Sequence, residues 1–149
     1  MKTLLVAVDN SATARKVISL AAEQGLAQRA TVVVLCCVDL SYSTTGPYDI
    51  AVGEDPADFG CAQDEQGAAA AVVRQALSEL KDAGVSARGR VVPGEPAETI
   101  VAQAKELNAS MIIMGRRHLS PFNRLLRGSH SALVIENADC PVLIDVRAD

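Results

Sequence analysis

The stretch Met111-Ile112-Ile113-Met114-Gly115-Arg116-Arg117-His118, followed nine residues later by Gly128-Ser129-His130-Ser131, joins an apolar run to a glycine-bounded basic connection and then to a helix start. A continuous apolar run is what a parallel strand covered on both faces requires. Gly115 closes that strand, and Gly128-Ser129 opens the next helix. Helix N-termini expose unpaired N–H groups and carry a partial positive charge, so they attract anions, and glycine lets backbone approach a ligand closely. Ser129 and Ser131 add hydroxyl donors. From Leu107 through Ile135 there is no Asp or Glu, yet Arg116, Arg117, Arg124 and Arg127 fall there. The connection therefore reads either as an anion-binding loop or as an ordinary serine N-cap beside a solvated basic face.

Outward from this unit the chain repeats the same alternation. Thr3 to Val8 is an apolar run, and Asp9, Asn10 and Ser11 after it are helix-capping types. Ala14, Val17, Ile18, Ala21 and Ala22 then recur at helical spacing. Thr31 to Val38 is a second β-branched run. Residues 40 to 60, rich in Ser, Thr, Gly, Pro, Asp and Glu, have little period and read as a long loop. A helix with Val72, Val73, Ala76, Leu77 and Leu80 on its apolar stripe follows, ending near Ala83 with Gly84 as its stop. Ala87 to Val92 is a third strand, and its Arg88 and Arg90 suit a sheet edge. Pro93-Gly94-Glu95-Pro96 is a turn with Pro96 at the first helical position, and Ile100, Val101, Ala104 and Leu107 give the next helix its buried face. After Met111–Met114, a helix from Ser129 to about Ala138 precedes a fifth strand from Pro141 to Val146. Five strands alternating with four helices predict one α/β domain over 1–149, a Rossmann-like parallel sheet with helices on both faces.

The gross numbers agree. The chain has 149 residues, 49% hydrophobic but only 3% aromatic, so its core is aliphatic. A net charge of −4 makes it a poor general partner for nucleic acid or anionic membranes. No apolar run reaches the ~20 residues of a membrane span, and the N-terminal run is too short for a secretory leader, so a cytoplasmic protein is expected. Cys36, Cys37, Cys61 and Cys140 have no zinc spacing. Cys36 and Cys37 read as small apolar strand residues, with a vicinal disulfide as the alternative.

Asp9 is the second candidate site residue. In open α/β sheets ligands bind beyond the carboxyl ends of strands where the strand order reverses. An Asp there can accept hydrogen bonds from a ribose or a base, or it can cap the first helix. Walker A, G-x-G-x-x-G and G-x-S-x-G motifs are absent, and neither His118 nor His130 belongs to a recognisable catalytic signature.

The segment from Met111 to Ser131, the later Cys140-Pro141-Val142-Leu143-Ile144, the N-terminal Val6-Ala7-Val8-Asp9-Asn10-Ser11 and Gly94-Glu95-Pro96 together closely resemble the universal stress protein family. The resemblance covers the whole chain, most loosely over residues 40 to 65. It implies a five-stranded parallel sheet of order 3-2-1-4-5, which puts the Arg88/Arg90 strand at one edge and Asp9 and Gly115 on one crevice. Members that bind ATP carry G-x-x-G, nine residues, then G-Ser/Thr. By this resemblance Gly115, Gly128, Ser129 and Ser131 would hold phosphates, with Arg117, His118 and His130 in the same binding segment. Asp9 would contact the ribose or base, and backbone at Val38 would meet the adenine. The implied cofactor is ATP or another adenine nucleotide, with magnesium, where bound, held largely by the phosphates. One departure stands out: His118 occupies the place of the second glycine. If that place needs positive φ, a non-glycine costs on the order of 1–3 kcal/mol, although His tolerates the left-handed region better than most residues. The resemblance also implies a homodimer through Val142, Leu143 and Ile144 of the last strand. The expected function is a nucleotide-binding stress regulator with little or no turnover. The alternatives are a nucleotide-independent dimeric interaction protein and, at most, a slow ATPase.

Overall fold

Every second residue of the branched aliphatic runs meets a different helical layer, which is why those runs are apolar throughout. The computed structural model describes residues 2–9, 14–38, 47–51, 65–115 and 130–147. Among these, the chain order is β1 (Thr3–Val8), α1 (Ala14–Gln28), β2 (Thr31–Val38), β3 (Tyr48–Ile50), α2 (Glu65–Asp82), β4 (Ala87–Pro93), α3 (Pro96–Glu106), β5 (Met111–Gly115), α4 (His130–Asn137) and β6 (Val142–Asp145). The strands form one mixed sheet in the order β3-β4-β2-β1-β5-β6.

Leu4, Val6, Val32, Val34, Val91 and Ile113 point to the face covered by α1 and α2, where they pack with Ile18, Ala21, Val73, Leu77 and Leu80. Their neighbours Leu5, Val33, Leu35, Val92, Ile112 and Met114 point to the opposite face and meet Ile100, Ala104 and Val134 of α3 and α4. Both faces are thus buried, as parallel sheets require. Helix ends follow local chemistry. At α3, the Glu95 side chain accepts from the Glu98 N–H at 2.8 Å, and Pro96 takes the first helical position as expected. After α2, Gly84 adopts φ 85°, a conformation that costs glycine nothing.

The expected five-stranded, all-parallel sheet of order 3-2-1-4-5 is corrected to six strands. The difference is β3, a three-residue strand inside the segment read as a loop. It runs antiparallel to β4, pairing Tyr48 with Val91, Asp49 with Arg90 and Ile50 with Gly89. Three residues are too few to show a period, and β3 is held by partners distant in sequence. Ile50 is 1% exposed, and burying such a side chain is worth about 1.5–3 kcal/mol. Asp49 lies opposite Arg90, their charged groups 2.8 Å apart. The reading of the Ala87 strand as a sheet edge is corrected with it, since β3 occupies that edge. Arg88 is exposed, but Arg90 is largely buried and also reaches Gln103 and Glu106 on α3. It ties β3, β4 and α3 together instead of guarding an edge. Gly89 lets α2 pack closely on β4: a side chain there would collide with Val73 and crowd Leu77.

Candidate functional site at the carboxyl ends of the strands

Strand register places three of the expected site residues at one end of the sheet. β1 pairs with β5 as far as Val6 opposite Ile113, so Asp9 and Gly115 both lie just beyond that pair on adjacent strands. On the other side of β1, Val8 pairs with Cys36, and Val38 ends β2 two residues later. Adjacent strands are separated by about 4.8 Å. Asp9, Val38 and Gly115 therefore share the carboxyl edge of three neighbouring strands, β2, β1 and β5. Here the order reverses: β1 leads to β2 through α1 on one side, while β5, reached through α3, lies on the other. This is the kind of position at which open α/β sheets bind ligands.

The local environments differ. Asp9 is half-buried. Val38 is 2% exposed, and its carbonyl accepts the Gly94 N–H at 2.9 Å, which leaves that oxygen one further lone pair. Gly115 is buried and pairs with Asp145 of β6. Ser131 is buried in the first turn of α4, and His130 is that helix's first residue. Arg117, His118, Gly128 and Ser129 lie outside the described residues, as does the His130 side chain. At this edge Asp9 offers a carboxylate acceptor and Gly115 a strand end that a ligand can approach closely. Among the described residues, no group of three or more His, Cys, Asp or Glu side chains is placed to hold a metal ion.

Two features of this edge were not anticipated. Asp145 is 4% exposed and is gripped by Arg147, with Nε to Oδ1 at 3.0 Å, Nη2 to Oδ2 at 3.0 Å and the backbone N–H to Oδ1 at 2.9 Å. Lys16 of α1 donates to the Arg147 carbonyl at 3.2 Å. The Arg147 hydrogen bond holds the Asp145 carboxyl below its ordinary range, against the opposing effect of burial. An acidic residue directly after Val142-Leu143-Ile144 was the available signal. The second feature is Cys37, beside Val38. Burial first, then the neighbouring Cys36 and Glu95, pushes its thiol up to about 12, while a hydrogen bond with Thr99 opposes the shift. Cys36, Cys37 and Cys140 are free thiols.

Among the described residues, no helix is long and apolar enough to cross a membrane.

Comparison with known proteins bears on the whole chain. The Universal stress protein family model matches residues 1–147. A universal stress protein of Synechocystis is 27% identical over 146 residues, spanning 95% of this chain and 95% of that protein. The crystal structure of a universal stress protein in complex with cAMP superposes with a TM-score of 0.70 at 23% identity, covering 97% of this chain and 95% of that one. A universal stress protein from Archaeoglobus fulgidus in complex with dAMP gives 0.65 at 22% identity, with 97% of each chain covered. With the fold, the strand order around β1 and a match over nearly its whole length in agreement, the chain belongs to the universal stress protein family.

Proposed function

We propose that this protein binds an adenine nucleotide, ATP, ADP or AMP, at the carboxyl ends of β1 and β5 and acts as a cytoplasmic stress regulator by binding rather than by turnover. The observation that carries the reading is the convergence of Asp9, Val38 and Gly115 on one edge at the point where the strand order reverses. The cAMP and dAMP held by two related structures favour the adenine class. In this reading Asp9 accepts from the ribose or base and backbone at Val38 meets the adenine. Gly115, Gly128, Ser129 and Ser131 surround the phosphates, flanked by Arg117, His118 and His130, and magnesium is carried by the phosphates. Isothermal titration with ATP, ADP and AMP, with and without magnesium, tests it. Saturable heat that Asp9→Ala weakens at least tenfold is expected. No heat and no thermal shift with any of the three would overturn the reading.

A second reading is favoured by β6. It is the sheet's other edge, and Val142, Leu143 and Ile144 on it are only half-buried. A strand edge with so little charge is a template for a second copy, and it fits a homodimer whose role needs no nucleotide. Light scattering at micromolar concentration should then report a dimer that Leu143→Lys converts to monomer. A monomeric parent protein would count against this reading.

A further inference from the structure

Toward its carboxyl end β5 loses one of its two neighbours before the other. Pairing of β1 with β5 stops at Val6 opposite Ile113. Pairing of β5 with β6 runs further, through Met114 opposite Ile144 to Gly115 opposite Asp145. The last two residues of β5 therefore take their register from β6 and not from β1. Gly115 has no side chain to fix its place, and glycine backbone has the widest conformational freedom of any residue. Asp145 thus decides where β5 ends, and with it where the segment read as phosphate-binding leaves the sheet.

Asp145 is itself held from more than one side. A buried carboxylate is costly unless it is both paired and hydrogen-bonded, and Arg147 meets both needs. Its guanidinium takes both carboxylate oxygens and its backbone N–H takes Oδ1 as well. Fork-shaped pairs of this kind fix orientation in addition to supplying charge. The Arg147 carbonyl is held in turn by Lys16, in the first turn of α1. The end of an edge strand, ordinarily a place where a chain frays, is thereby tied both to the sheet and to the helix that follows β1. The arginine side chain is 68% exposed and that of Asp145 only 2%, so a change at Arg147 opens no cavity in the core.

We propose that Arg147 is a positioning residue for the nucleotide site: by gripping Asp145 it fixes Gly115 where the phosphate segment begins, and so sets the affinity for a nucleotide's phosphates but not for its nucleoside. The inference rests on the nucleotide reading above. The groups assigned there to the ribose and base, Asp9 and Val38, follow and end β1 and β2, which pair with each other and not with β6. Loosening the end of β6 therefore reaches the phosphate half of the site and spares the other half.

The full chain is titrated with ATP by calorimetry and with adenosine, to millimolar concentration, by amide chemical shifts. Arg147→Ala should weaken ATP about tenfold and leave adenosine within about twofold of the parent protein. Asp145→Asn should cause the same loss. The double variant, which leaves no unpaired buried charge and so keeps the test open if Arg147→Ala does not fold, should lose no more than a single change does. Arg147→Lys, which keeps the charge without the fork, should still lose several-fold. Without any nucleotide, the amide shifts of Met114 and Gly115 should move in Arg147→Ala while those of Leu4 and Leu5 stay in place. Parent-like ATP affinity in Arg147→Ala, equal weakening of ATP and adenosine, or full recovery in Arg147→Lys would each overturn the proposal. Failure of the nucleotide reading looks different: the parent protein itself then gives no heat with ATP. That result would end this role too, while the shifts of Met114 and Gly115 would still report whether Arg147 fixes the strand end.

Discussion

Cys37 and Asp145 make opposite demands on pH. The Cys37 thiol titrates near 12 in the folded chain instead of the ordinary 9.0. Above the ordinary value an unfolded chain loses that proton while the folded chain keeps it, so stability falls as pH rises from about 9 toward 12. Replacing Cys37 with Ala should remove this part of the alkaline loss, measured as urea midpoints at pH 8 and pH 10.5. The same shift predicts that iodoacetamide at pH 8 labels Cys37 far more slowly in folded than in unfolded protein, because only the thiolate attacks. Asp145 behaves in the other direction. Its carboxyl is held low by Arg147, so its contribution is present above the ordinary value of 3.8 and is lost as pH falls through the lower folded value. Asp145→Asn should lower the urea midpoint equally at neutral and at mildly alkaline pH, and its gap to the parent protein should close as pH falls below the ordinary value of 3.8. These two residues were legible in the sequence only as types, a strand cysteine and an acid after an apolar run. The titration of Cys37 depends on Thr99 and Glu95, which the fold alone brings near; that of Asp145 depends on Arg147, two residues along the chain, and on Lys16, which the fold supplies.

Among the elements, β3 shows where reading along the chain stops being informative. Its residues, Tyr48-Asp49-Ile50, carry too short a pattern to separate strand from loop. It becomes a strand because Arg90 faces Asp49 and because Ile50 is buried, while Gly89 opposite it lets Val73 of α2 pack closely on β4. Gly89→Ala should therefore destabilise the whole protein by about 1–3 kcal/mol, the usual cost of overpacking, read from chemical denaturation. Arg90→Met should cost about 1–3 kcal/mol by leaving the buried Gln103 Oε1 without the donor that Arg90 supplies. It should also speed amide exchange at residues 49 and 50 before it affects β1 or β2. Slow exchange retained at β3 in that variant would show that Ile50 alone holds the strand. By contrast, β1, β2, β5 and the four helices were legible because their apolar periods run over enough residues and their ends carry recognisable caps such as Glu95-Pro96 and Gly84.

At the scale of the molecule, the candidate site is a property of topology. Asp9 and Gly115 are more than a hundred residues apart in the chain, and neither is unusual by itself. They meet because β5 returns beside β1 after β4 has been laid down on the far side of β2. The nucleotide and dimer experiments probe two different parts of this arrangement, the strand-end edge and the β6 edge. By itself the sequence determined the α/β class, the doubly covered sheet and the family resemblance, since buried parallel strands and capped helices impose periods and end signals that local reading recovers. Only the tertiary structure decided the sixth strand, the true role of Arg90, the titration of Cys37 and the burial of Asp145. Each of these depends on groups distant in sequence meeting in space, where burial and charge act between neighbours that no local pattern records.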